Sequence, residues 1–385
     1  MRIRRPWWLA RLRRDDGGVA VLVGLLTATG VLLAGAALAV DVGQVYSERE
    51  ELQSAADGVA YAVAIDCAAH RPGECDNSTA AQAKYGIGNA KDGLTDVHEV
   101  CGNTAVRGTG ANLLPSCAGG YPDNLTACQD ASLPPATVGF VEVHTRTLTD
   151  EADRYVLSPA FARTLAGSTS GAAVGACSRV AWGAPVRGLA MTVCENVYNT
   201  ATSNSTSYGQ APPRNPGTSV EERFTFNTSG LFGDRASACR SSRFDWWGAN
   251  GEASWLDTLA STGCEARVDV VGSPRGSLPN GCASTLQYVV ANHIPIAVGI
   301  LDGRSTSGGS GRYVLRGVAA FVITGYNIRG VGSSASWLTG TTCSGFTSRC
   351  VFGYFTQAVT PMSAWDGQFN TTTTSLGAVM VKTVG

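Results

Sequence analysis

From Gly17 to Val40 the chain runs 24 residues without a charged side chain, and the run ends at Asp41. At 1.5 Å per residue that is about 36 Å of helix, enough to cross a hydrocarbon core of about 30 Å with some tilt. Beyond Asp41 the pattern changes. Val42, Val45, Tyr46, Arg49, Leu52, Gln53, Ala56, Val59, Ala60 and Val63 fall at steps of three and four, which is one face of a helix. Neither Gly nor Pro interrupts the chain between Gln44 and Asp57. The pattern therefore predicts one helix from about Gly17 to about Asp66, some 75 Å long, its first half in lipid and its second half outside.

The rest of the chain is read more coarsely. Residues 67–135 are rich in Gly, Pro and Asn and predict loops. Val138 to Thr147 and Val174 to Trp182 alternate well enough for strands. Ser158-Pro159 supplies an N-cap and first position for a short helix ending at Gly167. Asn199 to Ser219 is polar and reads as a loop or linker. His293 to Asp302, Arg312 to Tyr326 and Val351 to Val359 read as strands, and residues 303–311 as an exposed hairpin loop. The expected fold class is α+β. An N-terminal transmembrane helix (17–40) continues into a juxtamembrane helix (41–66), then a cysteine-rich proximal region (67–198), the linker (199–219) and a β-rich distal region (220–385).

Charge sets the orientation. Residues 1–16 hold six arginines against Asp15 and Asp16, a net +4, and the remainder carries −5 within a total of −1. Trp7 and Trp8 lie among those arginines, where interfacial aromatics belong, and no Lys or Arg follows until Arg49. The positive-inside rule then puts residues 1–16 in the cytoplasm and the body outside. A cleaved signal peptide is the rival reading, since Ala37-Leu38-Ala39 fits the small-residue cleavage pattern. Against it, the run exceeds the roughly 7–15 apolar residues of a signal core, and the helical face continues past the site. The mildly acidic body excludes nucleic acid as a partner, because phosphate binding needs a basic surface that releases counterions.

All 12 cysteines lie beyond the apolar run, an even count that reads as up to six disulfides in an oxidising compartment. Cys343 and Cys350, either side of Gly345, form a candidate local clip. Seven cysteines precede the linker and five follow it, so full pairing requires a bridge across it. No Cys-x2-Cys occurs, and Cys67-x2-His70-x4-Cys75 lacks a matching second pair, so no metal site is expected.

The stretch from Asp16 to Ala64 reads Asp-Gly-Gly-Val-Ala-Val, the apolar run, Ala39-Val40-Asp41-Val42-Gly43, Tyr46, Arg49, Leu52-Gln53 and Ala55-Ala56-Asp57-Gly58-Val59-Ala60. This resembles the N-terminal segment of the TadE/TadG-like proteins of bacterial Flp (tight adherence, type IVb) pilus assembly. Gly17 stands where that family usually has Arg or Lys, and Gly58 and Val59 replace alanines. The resemblance implies a bacterial, membrane-anchored role in building, anchoring or displaying a pilus, with partners among other pilus-assembly or pilin membrane proteins. Prepilin processing needs a glutamate five residues after the cleaved glycine. Val23 and Leu22 stand there instead. The metal motif of a von Willebrand A domain is off by one residue at Asp302-Gly303-Arg304-Ser305-Thr306-Ser307.

Catalytic motifs are absent. There is no Gly-x-Ser-x-Gly elbow, phosphate loop or His-Glu-x2-His, and the four histidines have no ligand spacing. No catalytic residue, cofactor or metal is expected. Asp245, Glu252 and Asp257 beside Trp246, Trp247 and Trp255 make the most enzyme-like stretch, since carboxylates beside rings suit a glycosidase. Partial core is the plain and preferred reading of that cluster, and non-catalytic binding of a glycan or a partner by the three tryptophans ranks above catalysis. The main hypothesis is a non-enzymatic pilus component, with a surface enzyme acting on carbohydrate and an exported soluble binding protein as alternatives. Tyr46, Leu52, Ala56, Val59 and Val63 are the candidate face for docking another pilus component. The plain alternative for that stripe is packing onto the protein's own ectodomain.

Overall fold

The computed structural model describes residues 12–28, 30–69, 75, 85–86, 88, 94–103, 114–117, 128, 132–148, 155–158, 161, 171–210, 212, 216–226, 252–259, 263–268, 274–275, 277–305, 313–343, 349–360 and 368–384. The short helix expected after Pro159 falls largely outside them, as do Trp246 and Trp247 and the loop beyond Ser305.

Helix α1 spans Leu12–Ala28 and helix α2 spans Val31–Ala68. The single helix expected from Gly17 is thus two helices. Gly30 adopts a left-handed conformation (φ 73°) that only glycine takes at little cost. Just before it, the Thr27 hydroxyl donates to the carbonyls of Val23 and Gly24, a back-bond that competes with the helical ladder. The break divides the uncharged run, and among the described residues no helix is long and apolar enough to cross a membrane. Helix α2 stops at Ala68, four residues short of Pro72, whose ring would clash with the Ala68 carbonyl in a continuing helix. The Cys67–Cys75 disulfide ties down the same end.

Strands follow in the order β1 (Thr95–Asn103), β2 (Gly139–Thr147), β3 (Gly175–Gly183), β4 (Arg187–Leu189) and β5 (Met191–Cys194). After helix α3 (Glu195–Ala201) come β6 (Glu222–Thr225), β7 (Ala253–Leu256), β8 (Glu265–Arg267) and β9 (Pro274–Arg275). Helix α4 (Cys282–Ala291) precedes β10 (Ile296–Ser305), β11 (Tyr313–Ile328), β12 (Gly332–Ser334), β13 (Cys350–Thr356), β14 (Ala358–Val359), β15 (Thr374–Ser375) and β16 (Ala378–Thr383). The architecture is α+β and mostly β beyond residue 94.

Two large sheets organise these strands. The first has the order β1-β2-β3-β16-β14, antiparallel except for the β14–β16 pair. One of its faces is apolar, with Val100, Val141, Val143, Val180, Trp182, Val379 and Val381 packed against α2. The second runs β6-β13-β11-β10-β5-β7-β9, with β12 and β15 also paired to β11. Helix α4 inserts Leu286, Val289 and Val290 into its core, where the rings of Tyr198, Phe224, Phe321 and Phe355 meet at centroid distances of 4.9–5.8 Å. Small residues on the other face, Ala297, Val318 and Ala320, meet Ala358 and Ala378 of the first sheet.

The division expected at residues 199–219 is therefore not a boundary between folded bodies. β5 precedes that stretch yet lies in the second sheet, and β16 follows it yet lies beside β3. Nor is the polar stretch a free linker where it is described. Thr202 is buried and donates to the Tyr198 carbonyl, and Ser203, Asn204 and Ser205 make a left-handed turn. The Tyr198 hydroxyl meets those of Ser205 and Tyr208 and donates to the Leu376 carbonyl.

Disulfides join Cys67–Cys75, Cys101–Cys117, Cys128–Cys177, Cys264–Cys282 and Cys343–Cys350. Cys194 is disulfide-bonded too, to a partner outside the described residues. The first three bridges close before residue 199 and the last two after 219, so the bridge that crosses the stretch is the one from Cys194. Alkylation of the unreduced protein is expected to label none of the twelve cysteines. Non-reducing peptide mapping should recover these five links and a sixth peptide pair containing Cys194. Labelling of several cysteines would show that the protein resides in a reducing compartment.

Candidate functional site

The feature that organises the first sheet is α2. Its lower half buries Leu52, Ala55, Ala56, Val59, Ala60, Val63, Ala64, Cys67 and Ala68, steps of three and one that make a broad apolar face. Alanines dominate that face, so the helix backbone lies close to the strands. Two polar contacts fix its register. The Thr145 hydroxyl donates to the Leu52 carbonyl at 2.9 Å, and Gln53 Nε2 donates to the Cys177 carbonyl at 3.0 Å. Ser54, Asp57 and Tyr61 face outward.

This placement corrects the docking face expected from the sequence. Leu52, Ala56 and Val59 are 0% exposed and Val63 is 2% exposed, all against the protein's own chain. Five strands supply the apolar partner that a single-sequence reading cannot locate, so the stripe belongs to the core. Of the five residues only Tyr46 is accessible, at 65%.

Above Val45 the helix leaves the sheet. Val31, Leu38, Val40 and Val42 are exposed, as are Val19, Val21, Leu22, Val23 and Leu25 of α1. A hydrogen bond reaches this upper part from the ectodomain. Asp41, only 9% exposed, accepts a hydrogen bond from the Phe161 amide at 3.0 Å. The sequence marked Asp41 only as the end of the uncharged run.

On the far face of the first sheet lies a buried polar cluster that the spacing of the four histidines did not indicate. Glu142, His144 and Arg146 alternate with the valines of β2 and so point away from α2. His144 Nε2 lies 2.8 Å from Glu142 Oε1, with the ring nitrogen as donor because a carboxylate only accepts. Arg179 donates to Glu142 Oε2 at 2.6 Å, and Arg146 pairs with Asp96 while its guanidinium stacks on Tyr155. Burial alone would raise the Glu142 pKa. The His144 and Arg179 hydrogen bonds and the positive charge of Arg179 outweigh it and hold the carboxyl at about 2.

Cys128, Cys177, Glu142 and His144 come close enough to suggest a metal site, with their ligand atoms within 4.8 Å of one another. Both sulfurs are spent in a disulfide, however, and zinc takes a thiolate. The group is a satisfied polar layer under two disulfides. The second close group, Cys101, Cys117 and Glu142, has no histidine, and its two sulfurs are likewise spent in a disulfide.

A cleft of about 320 Å³ opens where the two sheets meet, lined by Ser205, Tyr208, Gln357, Asn370, Thr371 and Leu376 among others, none of them charged. Its polar groups serve the fold. Asn370 accepts from the amides of Thr372 and Thr373 and donates to the Pro185 carbonyl, and the Tyr208 hydroxyl is engaged by Tyr198. Such a lining offers no acid or base. Trp255 lies in the distal core, 2% exposed, with its ring stacked on Phe226 at 4.6 Å, which leaves it too enclosed to stack on a sugar.

What distinguishes the chain is thus α1 and α2: an exposed apolar upper part continuous with a buried lower part. Residues 17–68 match the family described as putative Flp pilus-assembly TadE/G-like. The match takes in α1 from Gly17 and α2 to its last residue, and ends before the first strand. The TadE/G-like segment is therefore both the part that projects from the ectodomain and part of the ectodomain's core. No curated protein and no solved structure matches the chain.

Proposed function

We propose that the protein is a non-enzymatic, membrane-anchored component of a Flp-type pilus assembly or adhesion system. In this reading residues 17–40 cross the bacterial membrane, with residues 1–16 cytoplasmic and the disulfide-bonded ectodomain outside. The observation that carries it is the division of labour within the TadE/G-like segment. Its lower half is core, while Val19, Val21, Leu22, Val23, Leu25, Val31, Leu38, Val40 and Val42 of its upper half are exposed. Valines and leucines exposed along both α1 and the upper part of α2 suit lipid better than water.

The break at Gly30 is compatible with a crossing, because backbone groups freed in a bilayer must find partners. Here they do. The Gly30 amide donates to the Thr27 carbonyl at 3.1 Å, and the Gly30 carbonyl accepts from the Ala34 amide at 2.8 Å. Partners in the same membrane would be other pilus-assembly or pilin proteins that meet the upper part of the segment.

The test is the mass of the protein extracted from membranes. Residues 1–40 are expected to be present, and carbonate washing should not release the chain. Deleting the gene should abolish surface pili, and a version lacking residues 17–40 but exported by an unrelated signal should not restore them. A mature protein beginning at Val40 and free in the medium would favour an exported binding protein instead.

A further inference from the structure

We infer that Phe161 and Tyr46 form a second membrane contact, in which the ectodomain touches the lipid headgroup region beside the helix that anchors it. The inference rests on the membrane-anchor reading and extends it from the helix to the ectodomain.

The geometry begins at Asp41, the first charge after the uncharged run, which marks where α2 leaves the hydrocarbon. A carboxylate at that boundary needs hydrogen bonds, and Asp41 is largely covered, accepting from the Phe161 amide at 3.0 Å. That bond sets the Phe161 backbone at the depth of Asp41. Val45, one turn past Asp41, already packs against Leu52, Val174 and Ala176, so the edge of the ectodomain lies about 6 Å down the helix axis from Asp41.

At the depth of Asp41 the Phe161 side chain is 49% exposed, and Leu38, Val40 and Val42, within three residues of that aspartate, are exposed too. Tyr46 lies five residues past Asp41, about 7.5 Å, which is close to the 5–8 Å thickness of one headgroup layer. A phenylalanine at the hydrocarbon edge and an exposed tyrosine at the outer headgroup edge fit the two depths that apolar and amphipathic rings prefer. The occupant is the bilayer interface itself, because the hydrogen bond to Asp41 holds the exposed Phe161 at the level where the uncharged run ends.

The experiment uses the full chain in nanodiscs of phosphatidylcholine and phosphatidylglycerol doped with a lipid bearing a photoreactive group just below the headgroup. Adducts are mapped by mass spectrometry. The expected result is adducts both within residues 17–40 and on the peptide containing Phe161. Asp41→Ala should lower the Phe161 adducts about tenfold, the factor carried by loss of a charge-assisted hydrogen bond of about 1.5 kcal/mol. Asp41→Asn, which keeps an acceptor oxygen, should retain most of them. Adducts within residues 17–40 but none at Phe161 would overturn this inference and leave the anchor standing. Adducts at neither place would overturn the anchor reading as well. If Phe161 is unlabelled and Phe161→Ser instead removes a co-purifying membrane protein, the surface faces that protein and not lipid.

Discussion

Replacing Leu52 and Val59 together by aspartate is expected to destroy the ectodomain fold, not to remove a binding partner selectively. Each side chain is fully buried, Leu52 against Val174 and Ala176, and Val59 in the core beneath the first sheet. Losing two such groups costs about 1.5–3 kcal/mol each, and each unpaired buried carboxylate adds several kcal/mol. The sum reaches the whole stability of an ordinary domain, about 5–15 kcal/mol. The double variant should lose protease resistance at 37 °C, and its non-reducing peptide map should show scrambled bridges. Tyr61→Asp, on the exposed side of the same helix, is the control and should leave both readouts unchanged. A double variant that stays folded and natively bridged but loses pilus proteins would show that the stripe serves a partner after all.

The second large effect concerns Glu142 and pH. Its carboxyl is held at about 2 in the folded protein, against 4.5 for a free glutamate. A depressed carboxylate pKa stabilises the fold above the unfolded value, and that contribution fades as pH falls toward the folded value. The difference corresponds to about 3 kcal/mol, present at pH 6 and above and lost between about pH 5 and pH 2. Glu142→Gln removes it and leaves Arg179 and His144 without their counter-charge. Denaturant melts should show the variant less stable than the parent by about 3 kcal/mol at neutral pH, with the gap closing toward pH 2. A gap that stays constant across that range would mean that the cost comes from packing, and that the carboxylate's ionisation adds nothing.

Much of the fold was legible in local pattern. The alternations at Val138–Thr147 and Val174–Trp182 become β2 and β3 within a residue at each end, and those beginning at His293, Arg312 and Val351 become β10, β11 and the β13–β14 pair. Strand β1 was hidden in a stretch taken for loop, because Asp96, His98 and Glu99 break its alternation. Its charges are tolerated through cross-strand pairs such as Asp96 with Arg146. Helix α4 was missed for a related reason. Ser, Thr and β-branched residues give Cys282–Ala291 little intrinsic helix preference, and burial of Leu286, Val289 and Val290 supplies it instead.

The sequence alone determined the uncharged run, its basic flank, the family of residues 17–68 and the helical period of the stripe from Leu52 to Val63, since each is a property of neighbours a few residues apart. Only the tertiary structure decided what that stripe touches. Its partner surface is assembled from five strands, chiefly β2, β3 and β16, which begin at residues 139, 175 and 378. No local period records that Val381 pairs with Trp182, or that the Phe161 amide reaches Asp41. The same distance explains the division between the sheets. Burial rewards whichever strands bring matching apolar faces together, and the last strand of the chain completes the sheet that the first three began.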